Sequence, residues 1–577
     1  MLTNTTACPL DCYDACEVIY DNGKLKGVKS GHTQGFLCPH LNHYHKYETI
    51  TKARYKGEEI TMQEALSKLS EMIETVNKDE ILHYRGSGNF GLMQEVSDHF
   101  FASFGATLTD GSLCDGAGEA GILEGRGTNI TMPLEEIAKS DVVIIWGRNP
   151  HTTSSHLLPL IKNKKLIVID PVKTKIAKMA DLHIQIRPHG DLYLALLMSR
   201  FLHIENACDI EFLEEHAPEF EDFYELTQTV RIKSALQEID VTLGQIGTLL
   251  KLTQNKKVAI VCGLGIQKYS DGADVMRAID AFAAMKGLFG KEGCGVAYLG
   301  NSKANITSPF STKAKRVSKV NTEFSNYKTL FVQGANPLAQ MPDTSRVKNS
   351  CEKLENIVYF GLYENETSEI ADLVIPAKSF LSKNDIRTSY SHNAMLLMPK
   401  IVDSEDGISE YDLSAYLCKK FDIALESEEF YIQHFKNFAE NGVDGGLQVK
   451  QRQQIQYKDG FETDEGEFLF LEEYETLESD DKLFLITPKS VTSLNSQFSR
   501  EECVYLHSDL GFCEGEEVQI SSSNAKVSLR VKINNDLRSD CVLIYSGTKG
   551  VNNLSSSKHS LDGKNAIYQE NKVEVSR

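Results

Sequence analysis

Four cysteines near the N-terminus constrain how this chain can begin to fold. They are Cys8, Cys12, Cys16 and Cys38. The segment between the third and the fourth contains Asn22-Gly23, a dipeptide typical of the tight turn of a β-hairpin. Such a hairpin would return the fourth cysteine to the side of the other three. The sequence therefore predicts a small N-terminal unit in which four sulfur atoms surround one metal centre.

Four thiolates can hold either a cubane iron–sulfur cluster or a structural zinc ion. Zinc sites usually pair their cysteines across two-residue gaps, whereas both gaps between Cys8, Cys12 and Cys16 hold three residues. Disulfides are disfavoured because the first residues lack the basic and apolar regions of a signal peptide. A radical-type cluster leaves one iron without a cysteine, whereas a fourth cysteine is available here. We predict a [4Fe–4S] cluster, with zinc as the main alternative.

The composition narrows the class of protein. The 577 residues, 41% of them hydrophobic, are enough for several domains with sizeable cores. A formal net charge of −20 argues against nucleic-acid partners and against a polybasic membrane patch. No apolar run approaches the roughly 20 residues that cross a bilayer. We therefore predict a soluble, cytoplasmic protein that has no membrane span and binds no nucleic acid.

The middle of the chain alternates continuous apolar runs with helical periodicity. Five runs have the character of strands buried in a parallel sheet, at 142–146, 165–169, 257–262, 329–334 and 357–360. This alternation predicts βαβ units and a mostly parallel, doubly wound architecture with two sheets. Beyond residue 482, short strands separated by glycine and polar turns predict a compact β-barrel.

Glycine-rich or polar turns follow four of these strands, at the edge where open α/β sheets bind ligands. They are Gly147-Arg148-Asn149-Pro150-His151, Asp170-Pro171, Gly263-Leu264-Gly265 and Gln333-Gly334-Ala335-Asn336-Pro337. Glycines let the backbone approach phosphate oxygens, and an aspartate at a strand end can accept hydrogen bonds from ribose or guanine. Each turn alone is weak evidence, because such turns occur in every α/β protein. Four of them behind an iron–sulfur segment predict a large nucleotide-bearing cofactor.

With these motifs in this order, the chain resembles the catalytic subunits of the molybdopterin oxidoreductases of the dimethyl sulfoxide reductase family. Besides the cysteine segment, the resemblance is carried by residues 146–150, 169–174, 180–191, 334–338, 366–367, 371–377, 487–490 and 551–554. It implies a bis-molybdopterin guanine dinucleotide cofactor that carries molybdenum or tungsten, together with the [4Fe–4S] cluster. The four N-terminal cysteines would hold that cluster.

The resemblance also implies which residues hold the cofactor. One dinucleotide would be lined by Gly147, Arg148, Asn149, Asp170, Arg187, Gly190 and Asp191. The other dinucleotide, or both pterins, would be held by Asn336, Glu366, Thr367, Asp385 and Asn552. Gly263 and Gly265, at the end of a buried strand, are predicted to join these contacts.

Cys114 lies in a glycine-rich loop at about the point where family members place their metal-ligating residue. A thiolate is a soft, strongly donating ligand suited to a high-valent metal. The resemblance therefore implies that Cys114 binds molybdenum or tungsten, and the alternative is a buried thiol. Asp115 is predicted to support this site or accept a proton, and the alternative is an aspartate that caps the following turn.

Two positions depart from the family pattern. The family commonly carries Lys or Arg two residues after the fourth cluster cysteine, where this chain has His40. A histidine could still bridge cluster and pterin by a hydrogen bond, with a charge that varies near neutral pH. Formate dehydrogenases typically follow the metal ligand with His, where this chain has Asp115, and this difference argues against formate as the substrate.

The resemblance implies an α/β fold with a small N-terminal iron–sulfur domain, two doubly wound parallel-sheet domains and a C-terminal β-barrel. The cluster domain is predicted over residues 1–52. A discontinuous α/β domain with the metal-site loop would take 53–125 plus about 310–420, and the dinucleotide-binding domain would take 126–309. A solvated acidic region, 421–480, would connect them to the molybdopterin-dinucleotide-binding barrel at 481–577.

The predicted activity is that of an oxidoreductase. Electrons would pass between a small-molecule substrate at the metal and the [4Fe–4S] cluster, and then to an iron–sulfur or other electron-transfer protein. One alternative is a non-redox hydratase or hydroxyltransferase on the same cofactor, with Asp14 or Asp115 activated beside the metal. Another is a cofactor-less electron-transfer subunit of a respiratory complex. That relative carries extra ferredoxin-type cysteines, which this chain lacks before Cys8.

Overall fold

The structure is a computed structural model, and it describes residues 4–29, 33–44, 47–311, 313–442, 446–476 and 482–577.

The N-terminal unit is a three-stranded antiparallel sheet. Its strands are Thr5–Ala7, Glu17–Asp21 and Lys24–Gly27. Asn22 and Gly23 join the last two with φ angles of 49° and 76°, the positive pair that a type I′ turn requires. The predicted hairpin is therefore confirmed.

A five-stranded sheet, parallel throughout, forms the first α/β layer. In spatial order its strands are Leu182–Ile184, Lys165–Ile169, Val142–Trp146, Val258–Cys262 and Gly295–Ala297. The three central strands are the predicted apolar runs, and their continuous hydrophobicity follows from burial on both faces of the sheet. Helices Asp191–Ile204 and Gly272–Met285 pack together over one face.

An eight-stranded sheet forms the second α/β layer. In spatial order its strands are Arg316–Ser318, Thr107–Asp110, Ile81–Arg85, Thr329–Gln333, Asn356–Gly361, Leu373–Pro376, Ala53–Tyr55 and Glu58–Ile60. The first six run parallel and the last two add an antiparallel edge. The chain leaves this sheet after residue 110 and returns at residue 316, and the five-stranded sheet lies between the two halves in sequence.

The last part of the chain closes into a six-stranded barrel. Its strands, in order around the barrel, are Leu483–Ile486, Cys541–Leu543, Cys503–Leu506, Lys526–Ile533, Glu517–Ser521 and Lys572–Ser576. Three two-stranded hairpins complete the β-structure, pairing Asp385–Thr388 with Met395–Met398, Ala439–Asn441 with Leu447–Val449, and Ser493–Leu494 with Gln497–Phe498. The predicted C-terminal barrel is confirmed.

The helices cover the two sheets and link their strands. They are Pro39–Asn42, Met62–Glu74, Val96–Phe104, Gly116–Arg126, Leu134–Ile137, Leu157–Ile161, Asp191–Ile204, Ile210–His216, Phe220–Thr229, Ile232–Ile239, Leu243–Thr253, Gly272–Met285, Pro337–Gln340, Thr344–Cys351, Glu366–Ile370, Glu410–Lys420 and Glu428–Lys436. Among the described residues, none of these helices is long and apolar enough to cross a membrane. The predicted α/β fold class, with its parallel sheets and terminal barrel, is confirmed.

Part of the acidic region departs from the solvated segment that the sequence predicts. Tyr457, Phe461, Phe468, Phe470 and Leu471 are buried in the core that covers the five-stranded sheet. The carboxylates between them face outward, so the charge of the segment conceals its apolar residues. The segment therefore contributes to a core as well as connecting the second sheet to the barrel.

The barrel is tied to both sheets near their ligand-binding edges. Arg187 Nε donates to Asp540 Oδ2 at 3.0 Å, and the Lys173 amide donates to the Asp536 carbonyl at 2.7 Å. On the other side, the Asp343 amide donates to the Asn552 carbonyl at 2.8 Å. These contacts hold the barrel over the carboxyl ends of the strands, where the predicted cofactor residues lie.

Candidate functional site

The cysteine loop begins and ends on paired strands. The Cys8 amide donates to the Cys16 carbonyl at 2.8 Å, and Cys12 lies on the loop between them. Cys38 caps the short helix Pro39–Asn42, and its sulfur accepts a hydrogen bond from the Leu41 amide at 3.5 Å. The charges of Cys8, Cys12 and Cys38 all act on Cys16, so the structure brings the four predicted ligands together.

The cysteines occupy a site that favours neutral thiols in the absence of a metal. Burial raises the pKa of Cys8 to about 11 and the pKa values of Cys12 and Cys38 to about 12. Burial also raises the pKa of Cys16 well above its usual range. Four buried thiolates therefore need a positively charged centre between them, which is what a metal site supplies.

The spacing of the sulfur atoms does not match a zinc ion. Tetrahedral Zn–S bonds of about 2.3 Å place sulfur atoms roughly 3.8 Å apart. Within the described part of the chain, which includes Cys8, Cys12, Cys16 and Cys38, no three of these sulfurs lie within 4.8 Å of one another. A cubane places each thiolate on a separate iron and so holds the sulfurs farther apart. The donor set and its spacing thus fit a cluster better than a single ion.

A clamp from residues 387–392 holds the carbonyl groups of the cysteine loop. The buried Arg387 guanidinium donates to the Cys8 carbonyl and, at 2.9 Å, to the Leu10 carbonyl. His392 Nε2 donates to the Asp14 carbonyl at 2.9 Å. This clamp was not predicted from the sequence. The available signal was a polar run, Arg387 to His392, which begins inside the buried strand Asp385–Thr388.

A cavity of about 490 Å³ extends from the cysteine loop to the barrel. Its walls are the carboxyl ends of strands in both sheets, the loop that carries Cys114, and the barrel residues around Lys489. The predicted site residues that line it are Cys12, Cys114, Gly147, Arg148, Asn149, Asp170, Asp191, Gly263, Gly265 and Asn552. The cavity therefore adjoins both predicted metal centres.

Other predicted residues lie outside the cavity wall and bind protein groups. Asn336 Nδ2 donates to Glu366 Oε2 at 2.8 Å, and Thr367 Oγ1 donates to Asn336 Oδ1 at 2.8 Å. Asp385 accepts from the Met93 amide at 3.0 Å. Arg187 binds the barrel, as described above, and Gly190 precedes the helix that begins at Asp191. Asp115, Cys8, Cys16 and Cys38 also lie outside the wall.

The turn after strand Val142–Trp146 brings backbone and cation to the cavity. Gly147 has a φ of +60°, and a side chain at Gly263 would collide with the Gly147 carbonyl at 1.8 Å. Arg148 donates to the Cys262 carbonyl at 3.0 Å and lies over the Tyr13 ring at 4.2 Å. Its Nε is buried without a hydrogen-bond partner. The turn thus holds an N–H group of Arg148 that has no protein partner, next to the closely packed backbone of Gly147 and Gly263.

Two buried carboxyl groups line the cavity, Asp170 directly after a strand and Asp191 at the first residue of a helix. Burial raises the pKa of Asp170 to about 7 and the pKa of Asp191 to about 6. Asp170 accepts from the Val172 amide at 2.8 Å, and Asp191 accepts from Trp146 Nε1 at 2.6 Å. Asp170 lines the cavity with few protein partners, so it can accept hydrogen bonds from a ligand there.

Cys114 lies in the loop before helix Gly116–Arg126, and hydrogen bonds fix its backbone. The Cys114 amide donates to Ser112 Oγ at 2.9 Å, and Gln267 Nε2 donates to the Cys114 carbonyl at 2.7 Å. Ser112 Oγ in turn donates to Asp115 Oδ1 at 2.7 Å. Burial raises the pKa of Asp115. The loop therefore presents the thiol to the cavity from a rigid backbone.

Charged side chains from distant segments surround Cys114. Burial is the main reason that the pKa of Cys114 rises to about 12, and the charges of Asp115 and Asp11 act in the same direction. The ammonium groups of Lys268 and Lys489 act against them. Two cations beside the thiol favour its thiolate form, which is the form that binds a metal.

Lys489 and Asp11 form an ion pair between the barrel and the cysteine loop. Their atoms Nζ and Oδ2 are 3.2 Å apart, and Asn495 Nδ2 also donates to Asp11 Oδ2 at 3.2 Å. Burial raises the pKa of Asp11, but Lys489, Asn495 and Arg387 together lower it by more. Both side chains line the cavity and are 23% (Lys489) and 29% (Asp11) exposed. Lys489 belongs to the 487–490 motif that carries the family resemblance, but no role at the site was predicted for either side chain.

His40 is held by the barrel. Its Nε2 donates to the Ser490 carbonyl at 2.9 Å, and burial lowers its pKa. Lys489, the next residue in the barrel segment, carries the cation that lies close to Cys12 and Cys114. The barrel therefore places Lys489 beside the cysteine loop and next to the residue that binds His40.

Comparison with known proteins gives consistent matches. The family model for molybdopterin oxidoreductases matches residues 45–420. The chain is 30% identical over 445 residues to the probable oxidoreductase YyaE of Bacillus subtilis, covering 69% of this chain and 66% of the relative. It is 24% identical over 485 residues to the F420-dependent formate dehydrogenase subunit alpha of Methanocaldococcus jannaschii, covering 72% and 70%.

The fold agrees with a solved structure. Acetylene hydratase from Pelobacter acetylenicus superposes with a TM-score of 0.75 over 94% of this chain and 93% of that chain, at 14% sequence identity. This similarity establishes the shared fold. The family match covers well over half of the chain and confirms the resemblance, which implies molybdenum or tungsten carried on molybdopterin. The chain belongs to the molybdopterin oxidoreductase family.

Proposed function

We propose that this protein is a molybdenum- or tungsten-dependent oxidoreductase that passes electrons between a small-molecule substrate and a [4Fe–4S] cluster. The observation that carries the proposal is the continuous cavity that reaches both Cys12 and Cys114. Such a cavity suits a cofactor that lies between the metal ligand and the cluster. The spacing of the four cysteine sulfurs supports the cluster assignment.

We propose a bis-molybdopterin guanine dinucleotide as the cofactor. The cavity-lining residues Gly147, Arg148, Asn149, Asp170, Asp191, Gly263 and Gly265 would hold one dinucleotide, and Asn552 would contact the other. The free Arg148 Nε and the Asp170 carboxyl suit a ligand that offers both phosphates and N–H groups. Arg187, Gly190, Asn336, Glu366, Thr367 and Asp385 would support these walls indirectly. The domain boundaries given above belong to the same proposal.

Cys114 is proposed as the metal ligand. When bound, the molybdopterin-held metal supplies two-electron exchange with substrate, which the cluster passes on singly. Lys268 and Lys489 favour the Cys114 thiolate, and Ser112 and Gln267 hold the loop in place. Asp115, bound by Ser112, would position the loop or hold a proton.

A second candidate is a non-redox hydratase or hydroxyltransferase on the same cofactor. This candidate is favoured by Asp11, which lines the cavity and whose charge raises the pKa of Cys114. A carboxylate in that position could activate a water molecule beside the metal. Asp14 suits this role less well, because it accepts a hydrogen bond from His156 at 3.0 Å. A cofactor-less electron-transfer subunit fits least, since the cavity and Cys114 are retained.

The electron partner is proposed to be an iron–sulfur or other electron-transfer protein, and the substrate a small molecule. We propose a cytoplasmic location, because every one of the thirteen cysteines, all within the described residues, is free of disulfide bonds. A reducing compartment would keep both the cluster ligands and Cys114 as thiols or thiolates.

The first experiment is anaerobic purification followed by metal and nucleotide analysis. We expect about one molybdenum or tungsten, about four iron atoms and about two guanine nucleotides per chain. Substrates are then screened with artificial electron-accepting and electron-donating dyes. Product formed at the same rate without any dye would favour the hydratase reading. Iron without heavy metal or pterin, from a host that makes the cofactor, would overturn the catalytic proposal, and zinc in place of iron would overturn the cluster.

A further inference from the structure

A buried histidine from the first α/β layer contacts one of the cluster cysteines. His156 Nδ1 lies 3.3 Å from Cys16 Sγ and 3.0 Å from Asp14 Oδ2. The His156 amide also donates to Asp14 Oδ2, at 3.2 Å. Both His156 and Asp14 are at most 1% exposed. Asp14 lies on the cysteine loop, so its carboxylate fixes the ring against the loop from both backbone and side chain.

The other edge of the ring also faces an acceptor. His156 Nε2 lies 3.1 Å from the Phe36 carbonyl, which can only accept a hydrogen bond. Once Cys16 is a metal-bound thiolate, the partners of Nδ1 are a thiolate and a carboxylate, which are acceptors too. A proton on Nδ1 is then shared between Asp14 Oδ2 and Cys16 Sγ in a three-centre hydrogen bond.

The ring has little freedom to leave this position. The Phe36 ring stacks on His156 with centroids 4.3 Å apart and an interplanar angle of 25°. Phe36 is itself 36% exposed, so it covers the histidine from the solvent side. Gln34 Nε2 donates to the His156 carbonyl at 3.1 Å and holds its backbone. The orientation of the ring is thus set by the segment between the third and fourth cysteines.

We propose that His156, positioned by Asp14, donates a hydrogen bond to Cys16 Sγ and raises the reduction potential of the cluster. The inference rests on the proposed function, because it requires a cluster at the four cysteines. Hydrogen bonds to cluster sulfurs withdraw electron density from the thiolate and stabilise the reduced, more negative cluster. His156 is accordingly a positioning residue that acts through Cys16.

The same three side chains offer a competing possibility. Asp14, Cys16 and His156 place ligand atoms within 4.8 Å of one another, which is close enough for one metal ion. Cys16 is also one of the four cysteines that surround the proposed cluster, and the sulfur atom can serve only one centre in this way. If His156 is a hydrogen-bond donor, all four cysteines remain available for the cluster. Metal analysis distinguishes this arrangement from a separate metal ion bound by Asp14, Cys16 and His156.

The test compares two substitutions at His156 with a matched control. His156→Phe keeps a ring that can stack on Phe36 but removes both donors, and His156→Gln retains an N–H donor. The control is His83→Phe. His83 is a buried histidine that pairs with Asp98 at 3.3 Å and stacks on Phe101 at 4.3 Å and 25°, so it reproduces the same chemistry away from the cysteines.

The reduction potential of the cluster is measured in the anaerobic holoenzyme by electron paramagnetic resonance at one fixed pH. We expect His156→Phe to shift the potential to a more negative value, His156→Gln to shift it less, and His83→Phe to leave it unchanged. Equal potentials in wild type and both His156 variants would overturn the proposal. So would loss of a metal ion other than cluster iron from the His156 variants.

A measurement on the wild-type protein keeps the test independent of variant folding. Holoenzyme labelled with ¹⁵N-histidine should show a nitrogen hyperfine coupling to the reduced cluster in pulsed resonance spectra. Absence of that coupling in a protein that contains the cluster contradicts the inference alone. Absence of the cluster signal itself contradicts the proposed function, so the two failures are distinguishable.

Discussion

At the scale of single residues, the site depends on thiols and carboxyl groups that burial makes hard to ionise. Cys114 is the clearest case, because the thiolate that we propose as a metal ligand would be stabilised by Lys268, Lys489 and the metal itself. We expect Cys114→Ser to lower turnover by at least about 100-fold, since removing a direct ligand should cost no less than removing its support. Iron content should stay at the wild-type level.

The control for that substitution is Cys418→Ser, which alters a thiol buried in the core of the eight-stranded sheet. It should cost some stability but leave specific activity per bound metal unchanged. Turnover, heavy-metal content and iron content are measured together on each protein. Full activity in Cys114→Ser would remove this cysteine from the metal site.

Asp170 makes a pH-dependent prediction. Its pKa of about 7 in the folded protein lies above its ordinary value of 3.8. As the pH rises from about 4 to about 7, the unfolded chain loses this proton before the folded protein does, so stability falls. Asp170→Asn removes that fall and should stabilise molybdopterin-free protein by about 1–3 kcal/mol at pH 8 but not at pH 4. Thermal unfolding at both pH values measures the difference.

Asp181→Asn is a control of opposite sign for the same experiment. The hydrogen bond from Lys165 lowers the pKa of Asp181, and both side chains are largely exposed. This substitution should lower the free energy of unfolding by no more than about 0.5 kcal/mol, and only above the ordinary pKa of aspartate.

We also expect Asp170→Asn to retain less guanine nucleotide than Asp181→Asn. Equal retention would argue against Asp170 as a nucleotide contact.

At the scale of elements, the hairpin that begins at Asp385 acts as a clamp on the cysteine loop. Arg387 donates to carbonyls on both sides of Leu10, and a lysine cannot span them. Arg387→Lys leaves buried carbonyls without partners, at about 1–3 kcal/mol for each. We expect iron to be lost to a chelator at least about 10-fold faster, because each 1.4 kcal/mol corresponds to a tenfold change in rate.

Arg346→Lys is the matched control for the clamp. Arg346 also donates to backbone carbonyls, at Thr322 and Val320, but it lies away from the cysteines. The Arg346→Lys variant should have a lower free energy of unfolding but the same rate of iron loss as the wild type. The rate is followed by the absorbance of the released iron–chelator complex. Identical rates in wild type and Arg387→Lys would show that other contacts hold the loop.

The elements themselves were predictable to different degrees. Strands such as Val142–Trp146 are continuous apolar runs buried on both faces, so local sequence is enough to locate them. The turn at Asp170 was found for the same reason, since it follows such a strand directly. The roles of Arg387 and Lys489 could not be predicted, although Lys489 lies in a motif of the resemblance. Each side chain contacts the cysteine loop, which is 377 positions away from Arg387 and 478 positions away from Lys489. The aromatic residues of the acidic segment were missed because charge masks their burial.

At the scale of the whole molecule, the cavity joins four parts of the chain around one ligand space. A ligand bound there contacts both sheets, the cysteine loop and the barrel, so it stabilises their arrangement by a free energy that grows with the logarithm of its affinity. We expect molybdopterin-free protein to be cleaved faster than holoenzyme between the core residues near Leu471 and the barrel strand that begins at Leu483. Limited proteolysis with mass measurement of the fragments tests this expectation.

The comparison protein for proteolysis is the same chain purified with its cofactor. Cleavage sites elsewhere on the surface should be cut at similar rates in both preparations. Equal rates between residues 471 and 483 would show that the barrel is held by protein contacts alone, such as Arg187 with Asp540. That result would leave the cavity intact as a binding site but remove its role in assembly.

The division of the eight-stranded sheet has a consequence for biosynthesis. A ribosome delivers strands Ile81–Arg85 and Thr107–Asp110 long before their partner Thr329–Gln333, and the five-stranded sheet emerges complete in between. Domains generally fold as units while synthesis continues. The barrel, which supplies the last wall of the cavity, is translated after both sheets. The cavity of the growing chain therefore stays open on that side until the barrel docks, and this leaves an interval in which a large cofactor can enter.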